Sequence, residues 1–192
     1  VDMGMMDFDR VSGSDYVKAV YKGVNIEMSD ICLSRVDTEI DEDGKEHEKV
    51  TNVFVGLWMI CDFKKALSAD LRLRERSKLG QKLAFGGINT DNEGFNKQFH
   101  IQSNSPHDVF YILTPHMMEY IQQMDVKANG DLYMRFLREG KLHIAVNSGR
   151  NLFEIKNLNT NATALRRQFV GEICYVTDLI DEMRLVDTLF KK

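Results

Sequence analysis

The chain has few of the residues that cross-link small secreted or metal-stabilised proteins. Its 192 residues include only three cysteines, Cys32, Cys61 and Cys174. Their number is odd and no two form a Cys-x-x-Cys pair, which argues against a disulfide framework and a structural zinc site and indicates a reducing compartment. The sequence therefore implies no structural metal and no cofactor.

Long apolar runs are also missing, since none approaches the ~20 residues that span a bilayer. The formal net charge of −4 gives no general attraction to nucleic acid. The chain starts at Val1 without a signal-peptide pattern, so we expect a fragment of a longer protein or a processed or engineered start. We expect residues 1–192 to form a single soluble α+β domain in which residues 1–14 are a loose lead-in.

Proline is equally scarce, and both prolines fall within the strongest helical pattern of the chain. Ser105 before Pro106, and Thr114 before Pro115, each place a hydroxyl cap ahead of a proline at the first helical position. Pro115 would also remove a backbone donor from a continuous helix. The pattern predicts one kinked helix or two short helices that meet at Leu113–Thr114. The residues expected to face inward are Phe110, Leu113, Met117, Ile121 and Met124.

Alternating apolar residues predict a mostly antiparallel sheet of about six or seven strands. Val50–Phe63 is apolar on both of its faces, which predicts a central strand with other parts of the protein packed against each face. A slip in the alternation at Ser29-Asp30 suggests a β-bulge. The other strands are expected within 15–21, 24–33, 71–78, 95–102, 132–136 and 142–146.

Apolar residues at helical spacing from Leu165 to Met183 predict a long amphipathic helix near the end of the chain. The predicted fold class is therefore α+β, with a mostly antiparallel sheet packed by a Pro-split helix and by this C-terminal helix.

One group of charged residues is a candidate binding surface. Arg72, Arg74 and Arg76 alternate with Leu71 and Leu73, so on a strand the arginines share one face. Two interpretations remain open, a solvated edge strand that charge keeps from aggregating and a surface for anionic headgroups. Nucleic acid fits less well, because no exposed aromatic ladder accompanies the arginines. The candidate surface comprises Arg72, Arg74, Arg76, Lys64, Lys65 and Lys78.

The sequence contains no recognisable catalytic or metal-binding set. None of its five histidines has the H-E-x-x-H spacing or another metal-binding spacing. Cys61 ends the predicted central strand, where a buried cysteine usually acts as a small hydrophobe. An enzyme would need a site assembled from distant residues, and His100, His116 and Cys61 are the candidates.

Four blocks of sequence carry a family resemblance. They are Asp15-Tyr16 with Gly23 ahead of Ile26, Met28 and Ser29; Val53-Phe54-Val55-Gly56-Leu57 leading to Asp62-Phe63-Lys64; Phe95-Asn96-Lys97-Gln98-Phe99; and Tyr111-Ile112-Leu113-Thr114-Pro115-His116-Met117-Met118. Over roughly residues 15–153 the chain resembles a bacterial family catalogued only as a domain of unknown function. Its members typically carry hydrophobic membrane segments before the soluble region, and the resemblance brings no known catalytic residue.

The resemblance and the missing catalytic set together favour a non-catalytic interaction or scaffolding module of a membrane-associated bacterial protein. Its expected location is cytoplasmic, at the inner face of the membrane, through segments that this chain lacks. The expected partners are another protein or the anionic membrane surface. The alternative is an enzyme, which a deep polar pocket joining two of the candidate His and Cys residues would favour.

Overall fold

The computed structural model describes residues 6–41, 43–62, 66–76, 87–152, 154 and 161–182. The strands are β1 Arg10–Tyr21, β2 Val24–Ile40, β3 Glu46–Asp62, β4 Leu71–Glu75, β5 Phe99–Ser103, β6 Asp131–Leu137 and β7 Lys141–Asn147. The helices are α1 Glu93–Gln98, α2 Pro106–Ile112, α3 Pro115–Ala128 and α4 Ala162–Glu182. All neighbouring strands pair antiparallel in one seven-stranded sheet of order β1-β2-β3-β7-β6-β4-β5. The predicted α+β class is confirmed.

The described helices all pack on one side of this sheet, which we call the core face. Each helix contributes at least one buried residue to the main hydrophobic cluster, for example Phe95 from α1, Ile121 from α3 and Leu179 from α4. Strand residues such as Met59 and Leu71, both 0% exposed, meet them from the sheet. Full burial of one such side chain contributes about 1.5–3 kcal/mol, so this face dominates the stability of the fold. The opposite side of the sheet is called the open face.

The strand predicted to be central is an interior strand, because β3 lies between β2 and β7. Its second half is buried on both faces: Met59 and Cys61 belong to the core-face cluster, and Phe54 and Trp58 belong to a smaller cluster on the open face. Its first half, from Glu46 onward, pairs only with the end of β2 in an exposed two-stranded ribbon.

The proline-split helix is confirmed as two helices. α2 ends at Ile112, and Thr114 caps α3 by accepting a hydrogen bond from the Met117 backbone N–H at 3.2 Å. The matching cap predicted at Ser105 is wrong, because its side chain makes no capping bond and its Oγ accepts from the Arg138 guanidinium instead.

The predicted inward position of Phe110 is also wrong, since this side chain is 47% exposed. The helical phase restarts at Pro115, so residues before and after the break do not form one continuous stripe. Val109 and Ile112 of α2 are buried in its place.

Three local predictions need correction. The lead-in is shorter than residues 1–14, because β1 begins at Arg10. The bulge lies in β1, between Ser14 and Val17. β2 continues as one strand, and its buried apolar residues change from the core face to the open face along its length. Phe95 does not start a strand: it lies in α1, where Asn92 accepts its backbone N–H at 3.0 Å, and the strand begins after α1 ends.

Candidate functional site

The arginines of β4 lie in the middle of the sheet. Leu71 and Leu73 are buried on the core face, so Arg72 and Arg74 project from the open face, where both are partly buried. β4 pairs with β6 on one side and with β5 on the other, which makes it an interior strand. The edge-strand interpretation is therefore wrong, because β5 covers the side of β4 that would otherwise be an edge.

The other members of the predicted basic surface do not join this pair. Arg76 follows the end of β4, and its Nε donates to the backbone oxygens of Asn96 and Phe99 at 2.9 and 3.1 Å. It therefore ties the end of α1 to the start of β5. The remaining members, Lys64, Lys65 and Lys78, lie outside the described residues.

A third arginine, from a distant part of the sequence, lies beside Arg72. Arg135 of β6 is the direct register partner of Arg72, and its side chain shares the open face. Directly opposed side chains on antiparallel strands have Cβ atoms about 4.5–5.5 Å apart. Two partly buried arginine residues thus occupy directly opposed positions on neighbouring interior strands.

These two arginines belong to one cross-strand row that crosses the whole sheet on its open face. Each member is the register partner of the next, and we call the set the polar row. The polar row is Lys18, Glu27, Ile60, His143, Arg135, Arg72 and Gln102.

A hollow of about 460 Å³ opens beside the arginine pair. Gln102 and Asn104 line it with side-chain amides, together with Arg72 and Arg135, whereas the hydroxyl of Ser103 donates to the backbone oxygen of Asp70 at 2.5 Å. Asp70 also lines the hollow, and its Oδ1 accepts the backbone N–H of Arg138 at 2.9 Å. Guanidinium and amide donors are groups that bind carboxylates and phosphates, so this hollow is suited to an anion.

Nearby arginines help to lower the pKa values of two histidines. Burial, together with the positive charge of Arg135, lowers the pKa of His143 to about 4. Burial likewise lowers the pKa of His100, with the positive charges of Arg74 and Arg76 acting in the same direction. Both histidines are therefore neutral near pH 7, and His143 accepts a hydrogen bond at Nδ1 from the Trp58 indole N–H at 3.4 Å.

The polar row continues toward β1 into a wider trough of about 900 Å³. Its floor contains Ile60, His143 and Arg135. Charged side chains of both signs line it: Lys18 pairs with Glu27 and Lys141 with Glu139, each at 2.9 Å, and Asp62 is a further acidic lining residue.

An apolar depression of about 260 Å³ adjoins this trough and shares Glu27, Ile60 and His143 with it. Trp58 and Ile31 line it from β3 and β2, and Tyr16 from β1 forms an exposed wall. Its exposed surface is almost entirely apolar. The open face thus places an apolar recess next to a basic hollow.

The residues that could have built an enzyme site are not brought together. Cys61 lies on the core face, is 0% exposed, and burial raises the pKa of its thiol to about 12. His100 lies on the open face of β5, four strands away in the sheet order, and His116 is exposed on α3. No group of three or more His, Cys, Asp or Glu residues within the described ranges is arranged to hold a metal ion.

Arg135 is absent from the basic surface expected from the sequence. The alternation of Leu132, Met134 and Phe136 puts Arg135 on the outward face of its strand. No local pattern shows that β6 lies next to β4, because the two strands are separated by three helices and β5 along the chain.

A family model matches residues 52–185, which is more than half of the chain. The chain belongs to the family described as Protein of unknown function (DUF3137). The match includes Ile60, Arg72, Arg135 and His143, but not the β1 residues of the trough. Searches of curated proteins and of solved structures found no match. Within the described ranges, no helix has the length and apolar character needed to cross a membrane.

Proposed function

We propose that this member of the DUF3137 family is a non-catalytic interaction module whose open face binds an anionic group of its partner. The observation that carries the proposal is the direct pairing of Arg72 with Arg135 on two interior strands. Two arginine side chains at directly opposed positions present several N–H donors from one place on the sheet, and guanidinium groups bind carboxylates and phosphates through such donors. The donor-rich hollow beside the pair is where such a group would bind.

The resemblance to bacterial proteins with membrane segments supports a location at the cytoplasmic face of a membrane. In that setting the partner is a second protein or the anionic membrane surface itself. The enzyme alternative has less support, because its candidate residues are distributed over both faces of the sheet and one helix.

The test is a paired set of charge-removal variants. Arg72→Gln with Arg135→Gln removes two charges from the open face, and Arg166→Gln with Arg167→Gln removes two exposed charges from α4 as the matched control. Binding is measured with a fluorescent hexaglutamate peptide by anisotropy and with phosphatidylglycerol vesicles by cosedimentation, each at low and high salt.

The open-face variant should lose at least about ten-fold in affinity for the anionic probe that binds, since a charge-assisted hydrogen bond is worth about 1.5–3 kcal/mol. The α4 control should bind like the parent. Raising the salt should weaken parent binding, because the Debye length shrinks from about 10 Å at 0.1 M to 3 Å at 1 M. Equal binding by the parent and both double variants, or no binding of either probe, would contradict the proposal.

A further inference from the structure

The open face combines two recognition elements in a fixed arrangement. The arginine hollow lies on β4 and β6, and the apolar depression lies on β1, β2 and β3, with His143 of β7 between them. The two elements share the polar row, in which Ile60 precedes His143, Arg135 and Arg72. A ligand that crosses the sheet along this row meets an apolar recess first and a pair of cations next.

We infer that the partner of this face is an acidic peptide segment that carries one large apolar side chain. The inference rests on the proposed function and adds the chemical class of the partner. The apolar side chain fills the depression against Ile60, Trp58 and Tyr16, and a carboxylate binds at Arg135 and Arg72.

The register of the sheet sets the spacing of these two groups in the peptide. Ile60 is two strands from Arg135 and three strands from Arg72. With ~4.8 Å between neighbouring strands, these separations are ~10 and ~14 Å. An extended peptide advances ~3.3 Å per residue, so the acidic side chain follows or precedes the apolar one by about three or four positions.

A peptide fits this face better than a bilayer surface. Arg72, Arg74 and Arg135 are partly buried, and Arg135 lies on the floor of the trough. A flat surface would first meet the residues at the trough margin. These carry charges of both signs, in the ion pairs Lys18–Glu27 and Lys141–Glu139. A single extended chain can reach the partly buried Arg135 and Arg72.

Three fluorescein-labelled peptides test this inference by anisotropy. The first, Gly-Ser-Phe-Gly-Gly-Glu-Glu-Gly-Ser, has the apolar and acidic groups at the inferred spacing. The second replaces Phe by Ser, and the third replaces both Glu by Gln. The first should bind about ten-fold more tightly than either of the others, because burial of an aromatic side chain and the carboxylate contacts each add affinity.

Variants of the protein separate the two elements. Tyr16→Ser changes a side chain that is 63% exposed, so the fold should survive. It should weaken binding of the first peptide and leave the affinity for the second peptide unchanged. Ile60→Ser should weaken binding of the first peptide more strongly, again without changing the affinity for the second. The double variant Arg72→Gln with Arg135→Gln should weaken binding of both of these peptides.

The outcomes distinguish this inference from the proposed function. If the first two peptides bind equally and both depend on the arginines, the apolar contact is wrong and the anionic contact stands. If phosphatidylglycerol vesicles bind through the arginines and no peptide binds, the partner is a membrane surface and the peptide inference is overturned. If neither peptides nor vesicles bind, both proposals fail.

Discussion

Arg72 and Arg135 are direct register partners on β4 and β6, although they are far apart along the chain. Their side chains lie on the face of the sheet opposite the helices, beside a hollow that the side-chain amides of Gln102 and Asn104 also line. Interior strands of a sheet do not need charged residues to prevent edge-to-edge association, so protection of an edge does not explain this pair. Its position next to a donor-rich hollow is the basis for the proposed anion-binding role.

Gly56 and Gly171 should respond in opposite ways to replacement by alanine. A Cβ at Gly56 would lie 2.1 Å from the backbone oxygen of Val146 in the neighbouring strand, so Gly56→Ala should cost about 3 kcal/mol or more in unfolding free energy. A Cβ at Gly171 meets nothing within 4 Å, and this position is inside α4, so Gly171→Ala should add about 0.5–1 kcal/mol. Urea denaturation of both variants checks this prediction, and a small effect at Gly56 would mean that β3 and β7 are not as close as described.

Asp30 should make the stability of the protein depend on pH. The carboxyl group is 3% exposed, and burial raises its pKa to about 6, with the backbone N–H of Leu152 acting in the opposite direction. The folded state therefore binds this proton more tightly than the unfolded state, whose pKa is near 3.8. The contribution of the protonated group is present at pH 4 and is lost as the pH rises through about 6.

Asp30→Asn should remove this loss. We expect the variant to gain about 2 kcal/mol over the parent at pH 8 and almost nothing at pH 4. Asp178→Asn, at an exposed position on α4, is the matched control and should change stability little at either pH. A gain for Asp30→Asn that is the same at pH 4 and pH 8 would rule out titration of Asp30 as its cause.

The two helix starts near the prolines should differ in their sensitivity to loss of the hydroxyl group. Thr114 Oγ1 caps α3, so Thr114→Ala should cost about 1 kcal/mol. Ser105 occupies the corresponding position before α2 without a side-chain capping bond, so Ser105→Ala should cost only a few tenths of a kcal/mol. Thermal and urea unfolding measure both changes, and equal losses would show that the Thr114 bond does not stabilise α3.

Local chemistry explains which parts of the fold could be predicted from the sequence. The Thr114-Pro115 step sets a helix start through a cap and a fixed backbone angle, so the split helix was predictable. The doubly apolar Val50–Phe63 segment likewise indicated an interior strand. By contrast, Phe95 lies in a short helix that Asn92 caps. The apolar alternation through Phe99 and Ile101 predicted a strand at this position instead.

The candidate site was predictable only in part, because it depends on strand order. The alternation in β4 indicated that Arg72 and Arg74 share a face. Arg135 and His143 face each other across the short β6–β7 hairpin, but the pairing of β6 with β4 joins segments so far apart that it leaves no local signal. The same pairing turned an expected edge strand into an interior one.

The most direct test of the central claim is an NMR titration of the ¹⁵N-labelled protein with hexaglutamate at low salt. We expect the Nε–H signals of Arg72 and Arg135 to shift most, the backbone amides of β4, β6 and β7 to follow, and Arg166 and Arg167 on α4 not to respond. We also expect the shifts to disappear at 1 M salt, where charges interact over only about 3 Å. Shifts centred on α4, or no shift at the two open-face arginines while the peptide binds elsewhere, would contradict anion binding by the open face.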